Sequence, residues 1–233
     1  MSDPGLPAPG PDGQLRCPWA MSAPEYLAYH DGEWGHPVRD DRGIFERLSL
    51  EAFQAGLSWL TILRKRENFR AAFAGFDPAV VAGFGPGDVT RLLGDAGIIR
   101  NRAKITAVIA NARAALAVPG GLAALVWSYA ADPADASSAG PATMAEIPAW
   151  TPASKAVARE LRGYGFSFTG PVTAYATFQA CGVVDDHLRD CVRRGASRAR
   201  PASRLPGVPA SEHLGSGLVR SVSHCNRTGR EVS

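Results

Sequence analysis

Leu161-Arg-Gly-Tyr-Gly-Phe-Ser-Phe-Thr-Gly170 is the stretch that decides how this chain folds. Upstream, Thr151-Pro152-Ala153-Ser154 opens a helix that should run to about Arg162, and downstream an apolar run from Pro171 to Cys181 predicts a second helix. Between them, Gly163-Tyr164-Gly165 marks a sharp turn, because glycine tolerates the backbone angles such a reversal requires. A turn of this kind can aim backbone amides at a phosphate, which anchors a nucleic-acid backbone without sequence preference and without many basic side chains. Gly163, Gly165 and Gly170 are the candidate contact positions. The plainer reading, an ordinary helix joint with glycine at its C-cap, fits the same residues.

Outward from the hairpin, the pattern is helical. Ile44, Phe45 and Leu48, then Leu57, Leu60, Ile62 and Leu63, recur at helical spacing and predict two helices around a tight Gln54-Ala55-Gly56 joint. Asp77-Pro78 and Pro86-Gly87-Asp88 each read as a helix start, since aspartate caps free amides and proline suits the first turn. The alanine-rich segment Asn101 to Leu116 is a helix by pattern, another is expected over Leu122 to Tyr129, and a polar loop follows from Asp132 to Ala142. No sustained alternation of period two appears, so the expected fold is all-α and free of strands.

Composition narrows the function classes. The 233 residues, 45% hydrophobic and 20% charged, suit one globular domain or two small helical lobes. The most apolar stretch, Ala107 to Val126, is interrupted by Asn111, Arg113 and Pro119, so no membrane span is expected. Residues 1–15 are rich in proline and glycine and lack the apolar core of a secretory signal, which reads as a disordered leader on a cytoplasmic protein. The formal charge of +3 resides in the tail: residues 195–233 carry six arginines and two glutamates, net +4, which leaves −1 for the remainder. Bulk charge therefore does not establish nucleic-acid binding, and 195–233 reads as a disordered basic tail. The four cysteines, at 17, 181, 191 and 225, are far apart, which favours a metal site or free thiols over disulfides.

Two constellations carry candidate chemistry. His187 and Cys191 are four apart, so on a helix they would share a face, and Cys17 with His30 would complete a tetrahedral Cys2His2 set. The thirteen-residue step from Cys17 to His30 matches no common zinc finger. The tail pair His224 and Cys225 is a weaker competitor for the same metal. Separately, Trp19, Tyr26, Tyr29, Trp34 and Trp59 surround Glu51 in sequence and could build a stacking pocket for a flat base, with the carboxylate accepting its hydrogen bonds. A packed aromatic core with an exposed Glu51 is the alternative.

Most of these residues lie in segments that resemble the 3-methyladenine DNA glycosylase I family. The matching segments are Arg16-Cys-Pro-Trp19, Tyr26-Leu-Ala-Tyr-His-Asp-Gly-Glu-Trp-Gly35, Leu50-Glu-Ala-Phe-Gln-Ala-Gly-Leu-Ser-Trp59, Leu63-Arg-Lys-Arg-Glu-Asn68, Asp95-Ala-Gly-Ile-Ile-Arg100 and Gln179-Ala-Cys-Gly182. They run in order through residues 16 to 191. The resemblance implies a helix-hairpin-helix glycosylase domain over residues 16–194, with its N- and C-terminal segments joined by a structural zinc on Cys17, His30, His187 and Cys191. It implies that a flipped 3-methyladenine stacks on Trp59 and bonds to Glu51 and Tyr29, with Trp19, Tyr26 and Trp34 shaping the pocket. Glu51 is the catalytic candidate, and Leu57 is a candidate wedge for the vacated base stack. The implied partner is double-stranded DNA containing alkylated adenine, bound by a monomer. Asp185 aligns where other helix-hairpin-helix glycosylases carry a catalytic aspartate, although a capping role suits it equally. Ser167 stands where lyase-competent relatives have a lysine, so no strand-cutting activity is implied. A lesion-indifferent DNA-binding module and a glycosylase for 3-methylguanine are the competing expectations.

Overall fold

The computed structural model describes residues 5–130 and 140–195. A short strand pair, β1 (Ala8–Pro9) and β2 (Leu15–Arg16), leads through a 3-10 turn at Pro18–Ser22 into α1 (Pro24–Gly32). There follow α2 (Asp41–Gln54), α3 (Trp59–Ala72), α4 (Pro78–Ala82), α5 (Pro86–Gly94), α6 (Arg102–Leu116), α7 (Leu122–Trp127), α8 (Pro152–Gly163) and α9 (Pro171–Ala180). The expected helical architecture is present. The antiparallel β1–β2 pair is a departure from the strand-free expectation.

Local chemistry sets most helix starts. Asp40 accepts the Gly43 amide to cap α2, Ser58 accepts Thr61 N at α3, Asp77 accepts Ala79 N at α4, Asn101 accepts Lys104 N at α6, and Thr151 exchanges bonds with Ser154 at α8. α2 is the centre of the packing and touches α3, α6, α7 and α9. Its Ile44, Phe45, Leu48 and Phe53 meet Ile62, Phe69 and Phe73 of α3 and its C-cap, Ile105 and Val108 of α6 and Phe178 of α9 in one continuous core. The Gln54-Ala55-Gly56 joint falls as predicted, between α2 and α3.

The leader departs from its composition. Residues 5–15, expected to be unstructured, are held by long-range bonds. Buried Arg16 pairs with Asp12 at 2.7 Å and with Asp31 at 2.8 Å, while Leu15 O accepts Val192 N at 2.8 Å. Near the other end, Val38 N donates to Cys181 O at 3.1 Å. The N-terminal segment is thus laced to the segment after α9. No helix among the described residues is long and apolar enough to cross a membrane. The tail from 196 onward, including His224 and Cys225, and most of the expected loop at 132–142 lie outside the described residues.

Candidate active site and metal centre

α8 and α9 enclose the turn that the sequence singled out. Gly163 ends α8, Gly165 takes φ +98° with its amide on Arg162 O, and Gly170 precedes Pro171 at the start of α9. The turn is braced from α6: Asn111 Oδ1 accepts Ser167 N at 2.8 Å and Asn111 Nδ2 donates to Ser167 O at 3.0 Å. The first amides of α9 have no partner within their own helix, as at any helix start. Phe168, 43% exposed, adopts φ +57°, an uncommon angle for a residue with a Cβ.

A cavity of about 390 Å³ opens between the N-terminal aromatic segment, the α2–α3 region and α9. Trp19, Tyr26, Tyr29, Trp34, Glu51 and Trp59, scattered over forty-one residues, all line it. Ser22, Gln54, Met144, Ile147, Ala176 and Gln179 complete the wall; pattern alone did not single these out as site residues. The aromatic rings pack edge to face or tilted: Trp19 lies 5.7 Å from Tyr26 and 5.1 Å from Trp34, and Tyr29 lies 5.6 Å from Trp59. The Tyr26 hydroxyl is already committed, accepting Leu60 N at 2.9 Å and tying α1 to the first turn of α3. The Trp59 Nε1 donor is buried without a partner among the described residues.

Glu51 gives this cavity its electrostatic character. It is buried, not exposed, and among the described residues no cation or hydrogen-bond donor is bonded to it. Burial alone pushes its carboxyl up to about 8. Burial also raises the Tyr29 hydroxyl well above its ordinary value, reinforced by Glu51 and opposed by Arg47, so Tyr29 remains a neutral donor. The arrangement is an aromatic slot with one bare acid, suited to a flat cation.

The structure separates two candidates from the cavity lining. Leu57 sits on the α2–α3 joint and is 41% exposed. Asp185 is turned into its own loop: Oδ1 accepts His187 N at 3.3 Å, Oδ2 accepts Gly195 N at 2.8 Å, and Arg194 lies 3.6 Å away. A second, larger cavity of about 560 Å³ lies along α8, lined by Trp150, Lys155, Arg159, Arg162 and Pro171 among others; among the described residues no acid lines it.

Cys17, His30, His187 and Cys191 converge as a buried set whose ligand atoms all lie within 4.8 Å of one another. Cys191 Sγ is 3.4 Å from His30 Nε2 and 3.6 Å from His187 Nδ1, and Cys17 Sγ is 3.9 Å from His187 Nδ1. The Asp31 carboxylate lies 2.8 Å from His30 Nδ1, which leaves Nε2 for the cluster, and Trp34 O is 3.3 Å from His187 Nε2, which leaves Nδ1. Amides of Leu188 and Arg193 donate to the two sulfurs, each at 3.4 Å. Gly35, at φ +79°, has no room for a side chain, since an added Cβ would lie 2.9 Å from His187 Nε2. The expected helix through His187 and Cys191 is absent. The two ligands are carried on consecutive turns after α9, closed by Cys191 N on Leu188 O, where a four-residue step also brings them together. Two thiols and two imidazoles so gathered can hold one tetrahedral metal ion.

Comparison with known proteins identifies the family. The methyladenine glycosylase family model matches residues 19–194. DNA-3-methyladenine glycosylase 1 of Escherichia coli (strain K12) is 47% identical over 76% of this chain and 95% of its own length, and the DNA-3-methyladenine glycosylase of Haemophilus influenzae is 40% identical over 76% and 96%. A crystal structure of a 3-methyladenine DNA glycosylase I superposes with a TM-score of 0.72, covering 77% of this chain and 99% of that one at 47% identity. The Staphylococcus aureus enzyme, solved to explain its recognition of 3-methyladenine, superposes with a TM-score of 0.71 at 34% identity over 76% and 94%. A mostly helical fold built around an aromatic, acid-bearing cavity is the architecture of a DNA base-excising enzyme, and this chain belongs to the methyladenine glycosylase family.

Proposed function

We propose that this enzyme flips 3-methyladenine out of double-stranded DNA and hydrolyses its glycosidic bond. The single observation that carries the reading is Glu51, a buried carboxyl without a partner among the described residues, set in an aromatic cavity. Methylation at N3 makes adenine cationic. A cation restores Glu51 to its ionised form, whereas neutral adenine offers no such return, so lesion and normal base differ by an electrostatic interaction inside a low-dielectric slot. The Trp59 indole adds cation–π attraction, and Tyr29 supplies a neutral hydroxyl donor. As the C1′–N9 bond breaks, its electron pair neutralises the base while positive charge develops on the sugar. A carboxylate in the same cavity faces positive charge throughout. Water then adds at C1′, a proton is lost to solvent, and free 3-methyladenine leaves an abasic site.

The α8–α9 hairpin, with Gly163, Gly165 and Gly170, serves as the sequence-independent phosphate anchor, and exposed Leu57 fills the gap left by the flipped base. Ser167, whose backbone is clamped by Asn111, offers no amine for Schiff-base chemistry, so the enzyme is monofunctional. The bonds made by Asp185 suit a role in bracing its own loop, since no helix follows among the described residues for it to cap. The enzyme acts as a cytoplasmic monomer. Zinc is the ion best matched to the Cys17, His30, His187 and Cys191 set: bonds of about 2.3 Å to sulfur and 2.0 Å to nitrogen put such ligands roughly 3.5 Å apart in a tetrahedron. With all four positions filled by protein, zinc supplies structure and no chemistry.

The test is Glu51→Gln. Single-turnover excision should fall by about 10- to 100-fold. Wild-type affinity for the lesion should rise with pH and level off above about 8, where Glu51 is already ionised before binding; the variant should lack that dependence. Unchanged rates in the variant would remove Glu51 from the mechanism.

A further inference from the structure

Charge separates a methylated base from a normal one, but it does not separate one methylated purine from another. 3-Methyladenine and 3-methylguanine are both flat cations when attached to DNA, and neither Glu51 nor the indole of Trp59 distinguishes them by charge. A neutral group that can do so, through hydrogen bonding alone, is on α9.

Gln179 lines the cavity, and its amide end is fixed by a residue that does not. Gln179 Nε2 donates to Asp186 Oδ2 at 2.7 Å, and the Tyr175 hydroxyl donates to the same oxygen at 2.6 Å. A carboxylate only accepts, so Asp186 demands the NH₂ end of the carboxamide. Turning the amide over would set Oε1 against that carboxylate oxygen. Gln179 is thereby held as an acceptor, and among the described residues no donor is bonded to its Oε1.

We infer that Gln179 Oε1, held in place by Asp186 and Tyr175, selects adenine over guanine by accepting from the exocyclic amino group at C6. Guanine carries a carbonyl oxygen at that position. Two acceptors would then face one another in a desolvated slot, leaving both unpaired, which is the arrangement by which a polar site rejects an analogue most strongly. Gln179 is a specificity-determining residue, and Asp186 is a positioning residue that acts through it. This assignment rests on the cavity being the base pocket.

The experiment uses duplex DNA treated with a methylating agent, which contains both 3-methylated purines. The full chain at saturating concentration is mixed with it, and both released bases are quantified from the same single-turnover samples. Wild type should favour 3-methyladenine. Gln179→Met removes the acceptor at similar volume, and the adenine-to-guanine rate ratio should fall about tenfold or more. Asp186→Asn keeps Gln179 but supplies a partner that both donates and accepts, which lets the amide reverse, and the ratio should fall severalfold. A merely structural role would slow both releases in step and leave the ratio unchanged; that result, with a selective wild type, overturns the role of Gln179 alone. Release of neither base by wild type overturns the base-pocket reading and this inference with it.

Discussion

A carboxyl without a partner in an aromatic wall is unfavourable for the folded chain whenever it is ionised, and that gives Glu51 a signature independent of activity. Its folded value of about 8 exceeds the ordinary 4.5. The acid is therefore neutral in both states at low pH. As pH rises from about 4.5, the unfolded chain loses this proton while the folded chain keeps it, so stability falls until about pH 8 and then levels. Glu51→Gln removes that penalty, and the variant should gain on the order of 3 kcal/mol over wild type at pH 7, with little gain at pH 4. Denaturant unfolding at the two pH values measures the difference; an equal effect at both would mean that Glu51 has a partner. Residue chemistry was legible here only in part. Cys17, His30, His187 and Cys191 could be grouped from the four-residue step between His187 and Cys191 together with the family resemblance, and the structure brings all four together. Gln179 could not, since its meaning depends on Asp186 and Tyr175, and a lone glutamine on a helix looks like any surface residue.

Helices position what the residues do. α2 carries Glu51, α3 begins at Trp59, and Lys104 of α6 holds the joint between them by donating to Phe53 O at 2.8 Å and Ala55 O at 2.6 Å. About two turns further along the same face of α6, Asn111 holds the hairpin turn. Asn111→Ala removes two bonds to Ser167 and should lower stability by about 2 kcal/mol and weaken duplex binding severalfold, with excision at saturating enzyme nearly unchanged. Titrating the variant with undamaged and methylated duplex checks this; equal binding would show that the turn does not depend on its brace. Most helix starts were readable because capping is local, as at Asp77-Pro78 and Asn101. α1 was not: Pro24–Gly32 has no apolar stripe, and its aromatic rings face the cavity and metal cluster, so periodicity carried no signal. The strand pair was equally hidden, because the bonds that order this segment reach Asp31, Met144 and Val192, far away in the chain.

Across the molecule, one buried Cys2His2 set joins the segment before α1 to the segment after α9, and the cavity lies beside that join. Trp34 belongs to both: it lines the cavity and its ring stands 4.6 Å from His187. Stripping the metal with a chelator should therefore lower the melting temperature by about 10 °C and loosen the cavity wall, and adding zinc back should restore both. Retention of full stability and activity in metal-free protein would remove the metal from the account. The groove lined by Trp150, Lys155, Arg159 and Arg162 runs along α8 to Pro171 beside the hairpin and presents a basic surface there. Whether this cavity removes a cationic methylated adenine from DNA is read from single-turnover release of bases from methylated duplex by the purified protein, beside an unmethylated control. Free 3-methyladenine should come from the first and none from the second, with no strand cleavage. A folded, metal-loaded protein that bound both duplexes and released nothing would contradict that role for the cavity.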